Sequence, residues 1–151
     1  MTSATRIPKS HDDQICMRLS DHEVRYTSGR QRVVSALADA DGPRSAAELH
    51  DDLDRGLPLS SLYRSLAVMA DAGVLDQHNG TKGLTRYELS EWLLGHHHHL
   101  VCDSCGTVED VEIPEPLEAR LEELISTITV GSAFSATGHS LEIDGLCRRC
   151  A

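Results

Sequence analysis

At 151 residues the chain has length for one domain or for two small ones. No stretch approaches the roughly 20 apolar residues of a membrane span and the N-terminus lacks an apolar signal core, so a cytoplasmic protein with no membrane partner is expected. The net charge of −10 speaks against nucleic acid until it is divided: residues 1–90 carry 11 Lys+Arg against 13 Asp+Glu, residues 91–151 carry 3 against 11.

The acid is concentrated where bound cations would offset it, and the N-terminal part retains the means to present a local basic face. Residues 1–12 read as a flexible arm, with a short helix from His11 to about Asp21 carrying Ile15, Cys16 and Leu19. Thr27 or Ser28 caps a second helix, Gly29 to Ala38, with Val33, Val34 and Leu37 at helical spacing. Asp41-Gly42-Pro43 ends it, and Ser45-Ala46-Ala47-Glu48 is a capping box that opens a third helix with Leu49 and Leu53. The segment Leu59 to Gly73 has the best helical pattern, with Leu62, Leu66 and Met69 on one face and Gly73 as the stop. Two strands follow, Val74–His78 and Leu84–Leu89, around an Asn79-Gly80 turn signal.

Helices followed by a β-hairpin give the order of a winged helix-turn-helix, here residues 13–90. The last helix would enter the major groove with Ser60, Ser61, Tyr63 and Arg64, while Arg30, Arg32, Lys82 and Arg86 are placed to take phosphates. The competing reading is that these are ordinary solvated side chains.

After a hinge at 91–95, where Trp92 is placed to pack at the domain junction, come four consecutive histidines, His96 to His99, leading into Cys102-x-x-Cys105. Imidazole and thiolate are preferred ligands of zinc and its neighbours. On a strand successive side chains point to opposite faces, so His96 and His98 serve one site and His97 and His99 another. A solvated polar loop or an internal tag are the alternatives.

A second pair, Cys147-x-x-Cys150, is separated from Cys105 by 41 residues. The intervening chain has its own elements: a strand at 108–111, a helix from Pro114 to about Ile128 with Leu117, Leu121, Leu124 and Ile125 on one side, and a returning strand at 140–146. A Cys₄ zinc clamp of Cys102, Cys105, Cys147 and Cys150 would hold both ends of this unit. Redox chemistry competes for C-x-x-C, but no thioredoxin-like βαβ pattern surrounds either pair. Cys16 reads as a small buried hydrophobe. A metalloenzyme would need an open coordination position and a general base, and no H-E-x-x-H or nucleophile motif is present, so no enzyme and no small organic substrate are expected. The fold class is α+β, a winged helix-turn-helix followed by a small α/β unit (residues 96–151) with an antiparallel sheet.

From about residue 14 the chain resembles the ferric uptake regulator family of metal-dependent repressors. The resemblance rests on Thr27-x-x-Arg30-Gln31-Arg32, Ser45-Ala46-Ala47-Glu48-Leu49, Ser61-Leu62-Tyr63-Arg64-Ser65-Leu66 and Asp71-Ala72-Gly73-Val74. It continues through Tyr87-Glu88-Leu89, His96–His99-Leu-x-Cys102 and His139-Ser140-Leu141-Glu142-Ile143-x-Gly145-x-Cys147. It implies a homodimer through the C-terminal domain, which binds pseudo-palindromic double-stranded operators when metal-loaded and controls metal-uptake genes.

The same resemblance implies a structural Zn(2+) on the four cysteines of the two pairs, and a site in the dimerisation domain on His96, His98, Glu118 and His139. It implies an interdomain sensing site on His97 and His99 with ligands from the winged helix, where branches differ. Zinc-uptake regulators use an aspartate, Asp76 here, and a cysteine where this chain has Ser90; iron-type members use Glu88 and a histidine where this chain has Pro43. Glu91, in a connection longer than usual, is a further candidate. Four histidines favour the zinc branch; Fe(2+) or Mn(2+) regulation and peroxide sensing are the alternatives within the family.

Overall fold

The computed structural model describes residues 9–151, so most of the expected arm lies outside the described residues. The rest is not an arm: helix α1 (Lys9–Asp21) begins at Lys9 and buries Ile15 and Leu19 one turn apart. Cys16 is exposed rather than buried, because the position after Ile15 lies about 100° round the helix from the core-facing stripe.

Helix α2 (Ser28–Ala38) starts at Thr27, whose side chain accepts from the Arg30 amide, and buries Val33, Val34 and Leu37. Both halves of the capping box form before α3 (Ala46–Asp52): the Glu48 amide donates to Ser45 Oγ at 3.2 Å and the Ser45 amide to Glu48 Oε2 at 2.8 Å. Helix α4 (Leu59–Asp71) turns Leu62, Ser65, Leu66 and Met69 inward. Gly73, at φ +70°, supplies the left-handed turn that ends it.

A two-residue strand absent from the pattern reading, β1 (Arg44–Ser45), pairs with β3 (Thr85–Leu89), which pairs with β2 (Leu75–Asn79) to give the order β1-β3-β2. Asp76 stands opposite Glu88 and His78 opposite Arg86. One apolar core, from Ile15 through Leu89, joins these elements.

Residues 91–95 are not a free hinge. A turn of helix, α5 (Glu91–Leu94), packs Trp92 and Leu93 against that core, and Trp92 Nε1 donates to Gly73 O at 2.9 Å. The Arg18 guanidinium lies 4.3 Å from the indole centroid.

The C-terminal unit comprises β4 (His98–Cys102), β5 (Val108–Val111), α6 (Glu115–Thr129) and β6 (Glu142–Gly145), with strand order β5-β4-β6. β5 is antiparallel to β4 as expected, whereas β6 is parallel to it. The crossover through α6 returns the chain to the starting end of β4, and a parallel pair requires such a connection.

Among the described residues of this unit, the buried apolar side chains are Val101, Cys102 and Val108, while Leu117, Leu124, Ile128, Phe134, Ile143 and Leu146 are exposed. The two parts meet along β5. The Asp110 amide donates to Asp41 O at 3.0 Å, and a Cβ on Gly42 would stand 2.4 Å from Val108 O. Glycine is what lets the α2–α3 loop lie against that strand. Among the described residues no helix is long and apolar enough to cross a membrane.

Candidate metal centres

β4 ends in Cys102, and β6, running parallel, ends opposite it at Gly145, so the second C-x-x-C arrives beside the first. The four sulfurs lie within 4.8 Å of one another; Cys105 Sγ and Cys147 Sγ are 3.7 Å apart. Zinc–sulfur bonds of about 2.3 Å in a tetrahedron give edges of about 3.8 Å, so the set fits zinc. The Cys105 and Cys147 amides hold the Cys102 thiol below its ordinary pKa. Thr107, through its hydroxyl and its amide, brings Cys105 down to about 6. At Cys150 the Ser104 hydroxyl lowers the pKa, but the neighbouring cysteines outweigh it and push the thiol up to about 11. Crowded thiolates of this kind need a cation to ionise together.

The alternation of the histidines holds in space, although the regular strand begins only at His98. On one face His96 Nε2 lies 3.1 Å from Glu118 Oε1 and 3.2 Å from His139 Nε2. His98 Nε2 lies 3.0 Å from Glu118 Oε2, and His139 Nε2 lies 2.8 Å from Glu118 Oε1. These separations match the edges of about 3.3 Å expected around zinc bound at about 2.0–2.1 Å by nitrogen. His98 is 1% exposed, and its Nδ1 has no hydrogen-bond partner among the described residues; its polar engagement is wholly through the nitrogen facing the cluster. Glu91 joins this side, taking the outer nitrogen of His96, and is not an interdomain ligand. A carboxylate on the second nitrogen is the usual way to orient a metal-binding imidazole.

The other face meets the hairpin. Glu88, buried on β3, places Oε2 at 3.0 Å from His97 Nε2 and 3.1 Å from His99 Nε2, and Oε1 at 2.5 Å from His78 Nε2. Asp110 Oδ1 completes a group with the two rings at 3.8 and 3.6 Å. Burial alone would raise the Glu88 pKa, yet hydrogen bonding to the three histidines outweighs it and holds the carboxyl well below its usual range. In return Glu88 lifts His97 to about 9.

Asp76 is not in this group. Its short carboxylate is exposed and accepts from Ser90 Oγ at 3.0 Å, while Asp110, brought in by the β5 contact, stands beside the imidazoles instead.

On α4, Ser60, Ser61, Tyr63 and Arg64 are exposed together, with Tyr63 at 53%. The arginines behind them are engaged internally. Arg30 donates to Arg25 O, and Arg32 to Leu53 O at 3.2 Å and Gly56 O at 3.3 Å. Arg86 is 4% exposed and pairs with Glu48 at 2.6 Å, so it is a structural residue rather than a phosphate ligand. Lys82 is exposed at the hairpin tip, where Nζ donates to Ser104 O at 3.1 Å.

Residues 21–143 match the Ferric uptake regulator family. The chain belongs to that family. It is 37% identical over 131 residues to the zinc uptake regulation protein of Mycobacterium tuberculosis, covering 84% of this chain and 95% of that one. It is 30% identical over 143 residues to the ferric uptake regulation protein of Bacillus subtilis, covering 91% and 93%. The ferric uptake regulator of Helicobacter pylori, described as having three functional metal binding sites, shares the fold at a TM-score of 0.74 and 22% identity over 99% of this chain and 97% of that one. This member of the ferric uptake regulator family is a metal-responsive regulator and not an enzyme.

Two side chains at the interdomain group escape sequence reasoning in this family member, Asp110 and His78. Asp110 sits in an acidic stretch with no spacing signal, and only the seam at Gly42 explains its position. His78 carried a signal that was available: it shares a face of β2 with Asp76, two residues away.

Proposed function

We propose that this chain is a zinc-responsive repressor of metal-uptake genes, acting in the cytoplasm as a homodimer on pseudo-palindromic double-stranded operators, with metal as corepressor. The observation that carries the reading is the meeting of Glu88, from the winged-helix hairpin, with His97 and His99 of the C-terminal sheet. A bound cation supplies one positive centre that favours ligands from both domains at once. Glu88 sits on β3, tied through β2 to the end of α4, so fixing Glu88 fixes the angle of the exposed Ser60–Arg64 face. Couplings of this kind are typically about 1–3 kcal/mol, or fivefold to 150-fold in operator affinity. Lys82 and Arg64 supply positive charge to the phosphates, and the uncovered apolar face of α6 and β6 supports the dimer.

The ligand chemistry of the Cys₄ group supports structural zinc, and that of His96, His98, Glu118 and His139 supports a second zinc inside the dimerisation domain. Four histidines and the relative named for zinc uptake favour zinc at the regulatory position. Asp110 with Glu88 makes that group two imidazoles and two carboxylates, which equally suits Fe(2+) or Mn(2+), and this favours an iron- or manganese-responsive regulator as the second reading.

The test uses duplexes selected from a random library by the zinc-loaded protein, titrated anaerobically with Zn(2+), Fe(2+) and Mn(2+). The double variant His97→Ala, His99→Ala is expected to stay dimeric and lose metal-dependent binding. An unchanged metal response in that variant refutes the interdomain mechanism.

A further inference from the structure

The Glu88 group leaves two converging ligand atoms unused. His78 on β2 and Glu142 on β6, the strand across β4 from Asp110, converge on His99, and one ligand atom from each of the three lies within 4.8 Å of the others. His78 Nδ1 is 3.9 Å from Glu142 Oε1, and the His78 and His99 rings meet edge to face with centroids 4.7 Å apart. The orientation of His78 is held from behind: Glu88 Oε1 takes its Nε2 edge at 2.5 Å, which turns Nδ1 toward Glu142. That is the arrangement by which a carboxylate orients a metal-binding histidine. The parallel addition of β6 beside β4 brings Glu142 here, opposite His99 in register.

We propose that His78, His99 and Glu142 form a second zinc seat, alternative to the Glu88–His97–His99–Asp110 seat because both draw on His99. It rests on the reading that the interdomain cluster holds a regulatory cation. The two seats differ in chemistry. Two imidazoles, one carboxylate and an open side for water make a His₂Glu set of a kind zinc accepts, whereas the two carboxylates of the first seat favour harder cations. They differ also in mechanics, since the first ties β3 to β4 and β5, and the second ties β2 to β4 and β6. The second seat gives this chain a zinc preference without the cysteine that Ser90 replaces. Glu142, with its side chain 53% exposed, leaves the seat open to solvent for loading.

The test is zinc stoichiometry and affinity of the full-length chain, measured by competition with a chromophoric chelator. The variant His97→Ala disables the first seat alone, and is expected to keep the same number of zinc equivalents as the parent. Adding Glu142→Gln to it should weaken the interdomain equivalent by about tenfold to a hundredfold, and adding His78→Gln should remove it. Far-UV circular dichroism and retention of the Cys₄ and His96 equivalents report folding. Glu142→Gln is the substitution least able to disturb folding, because its side chain is mostly in water. Loss of the interdomain equivalent in His97→Ala alone overturns the second seat. So does unchanged zinc affinity when Glu142→Gln is added to His97→Ala, or two interdomain equivalents in the parent. None of these results touches the interdomain mechanism itself, which stands or falls on the response of the His97→Ala, His99→Ala variant to metal on DNA.

Discussion

Glu88 holds His97 protonated in the metal-free protein, and this makes regulatory metal binding steeply dependent on pH. With its pKa lifted to about 9, the ring is predominantly protonated at pH 7. A ligating imidazole must be neutral, so binding displaces that proton. Apparent affinity should therefore rise about tenfold per pH unit from 7 to 9, close to a hundredfold in all, and level off above the His97 pKa. A histidine at its ordinary pKa would level off near pH 7.

The measurement is calorimetry of Mn(2+) binding to His139→Ala protein, with the Cys₄ group zinc-filled, repeated in buffers of different ionisation enthalpy to count released protons. About one proton is expected at pH 7.5. In Glu88→Gln protein affinity should fall and the slope between pH 7.5 and 9 should flatten, since Glu88 is the largest of the groups that raise His97. Equal affinity at pH 7 and 9 in the parent would show that Glu88 does not hold the ring protonated. The stability of the metal-free protein carries the same signature. A raised histidine pKa contributes stability that is fully present below about 6.5 and is lost as pH rises through about 9, so the metal-free melting temperature should decline across that window.

Replacing Cys102 by Ser should remove one zinc equivalent and unfold the C-terminal unit, which buries few apolar side chains of its own; zinc analysis and thermal melting would show both changes. Gly42→Ala drives a methyl against Val108 O and should cost about 1–3 kcal/mol in chemical denaturation, with looser regulatory metal binding as the seam shifts. Ile128→Glu, on the uncovered face of α6, should give a monomer by analytical ultracentrifugation while the Cys₄ zinc is retained; a surviving dimer would place the interface elsewhere.

Much of the fold was legible because its causes are local. Ser45 and Glu48 cap a helix from three residues apart, Gly73 stops one, and the apolar stripes of α2 and α4 repeat at helical spacing. Readings that failed depended on neighbours distant in sequence. Arg86 has the look of a surface cation, yet Glu48 and Pro43 O enclose it. Residues 91–95 read as a hinge in which Trp92 alone is placed to pack, yet the apolar core fastens both Trp92 and Leu93.

The histidine run divides along the same line. Chain geometry alone assigns His96 and His98 to one face and His97 and His99 to the other, because neighbouring side chains in extended backbone point opposite ways. The two C-x-x-C pairs are likewise short-range spacing, readable from the residues themselves. Family resemblance supplied Glu118, His139 and Glu88, but that Asp110, Glu142 and His78 also meet those faces was decided only by tertiary structure. Asp110 is delivered by the close packing of Gly42 on β5, and Glu142 by a crossover that adds β6 in parallel. Asp76, the residue that family resemblance favoured, is held aside by one hydroxyl.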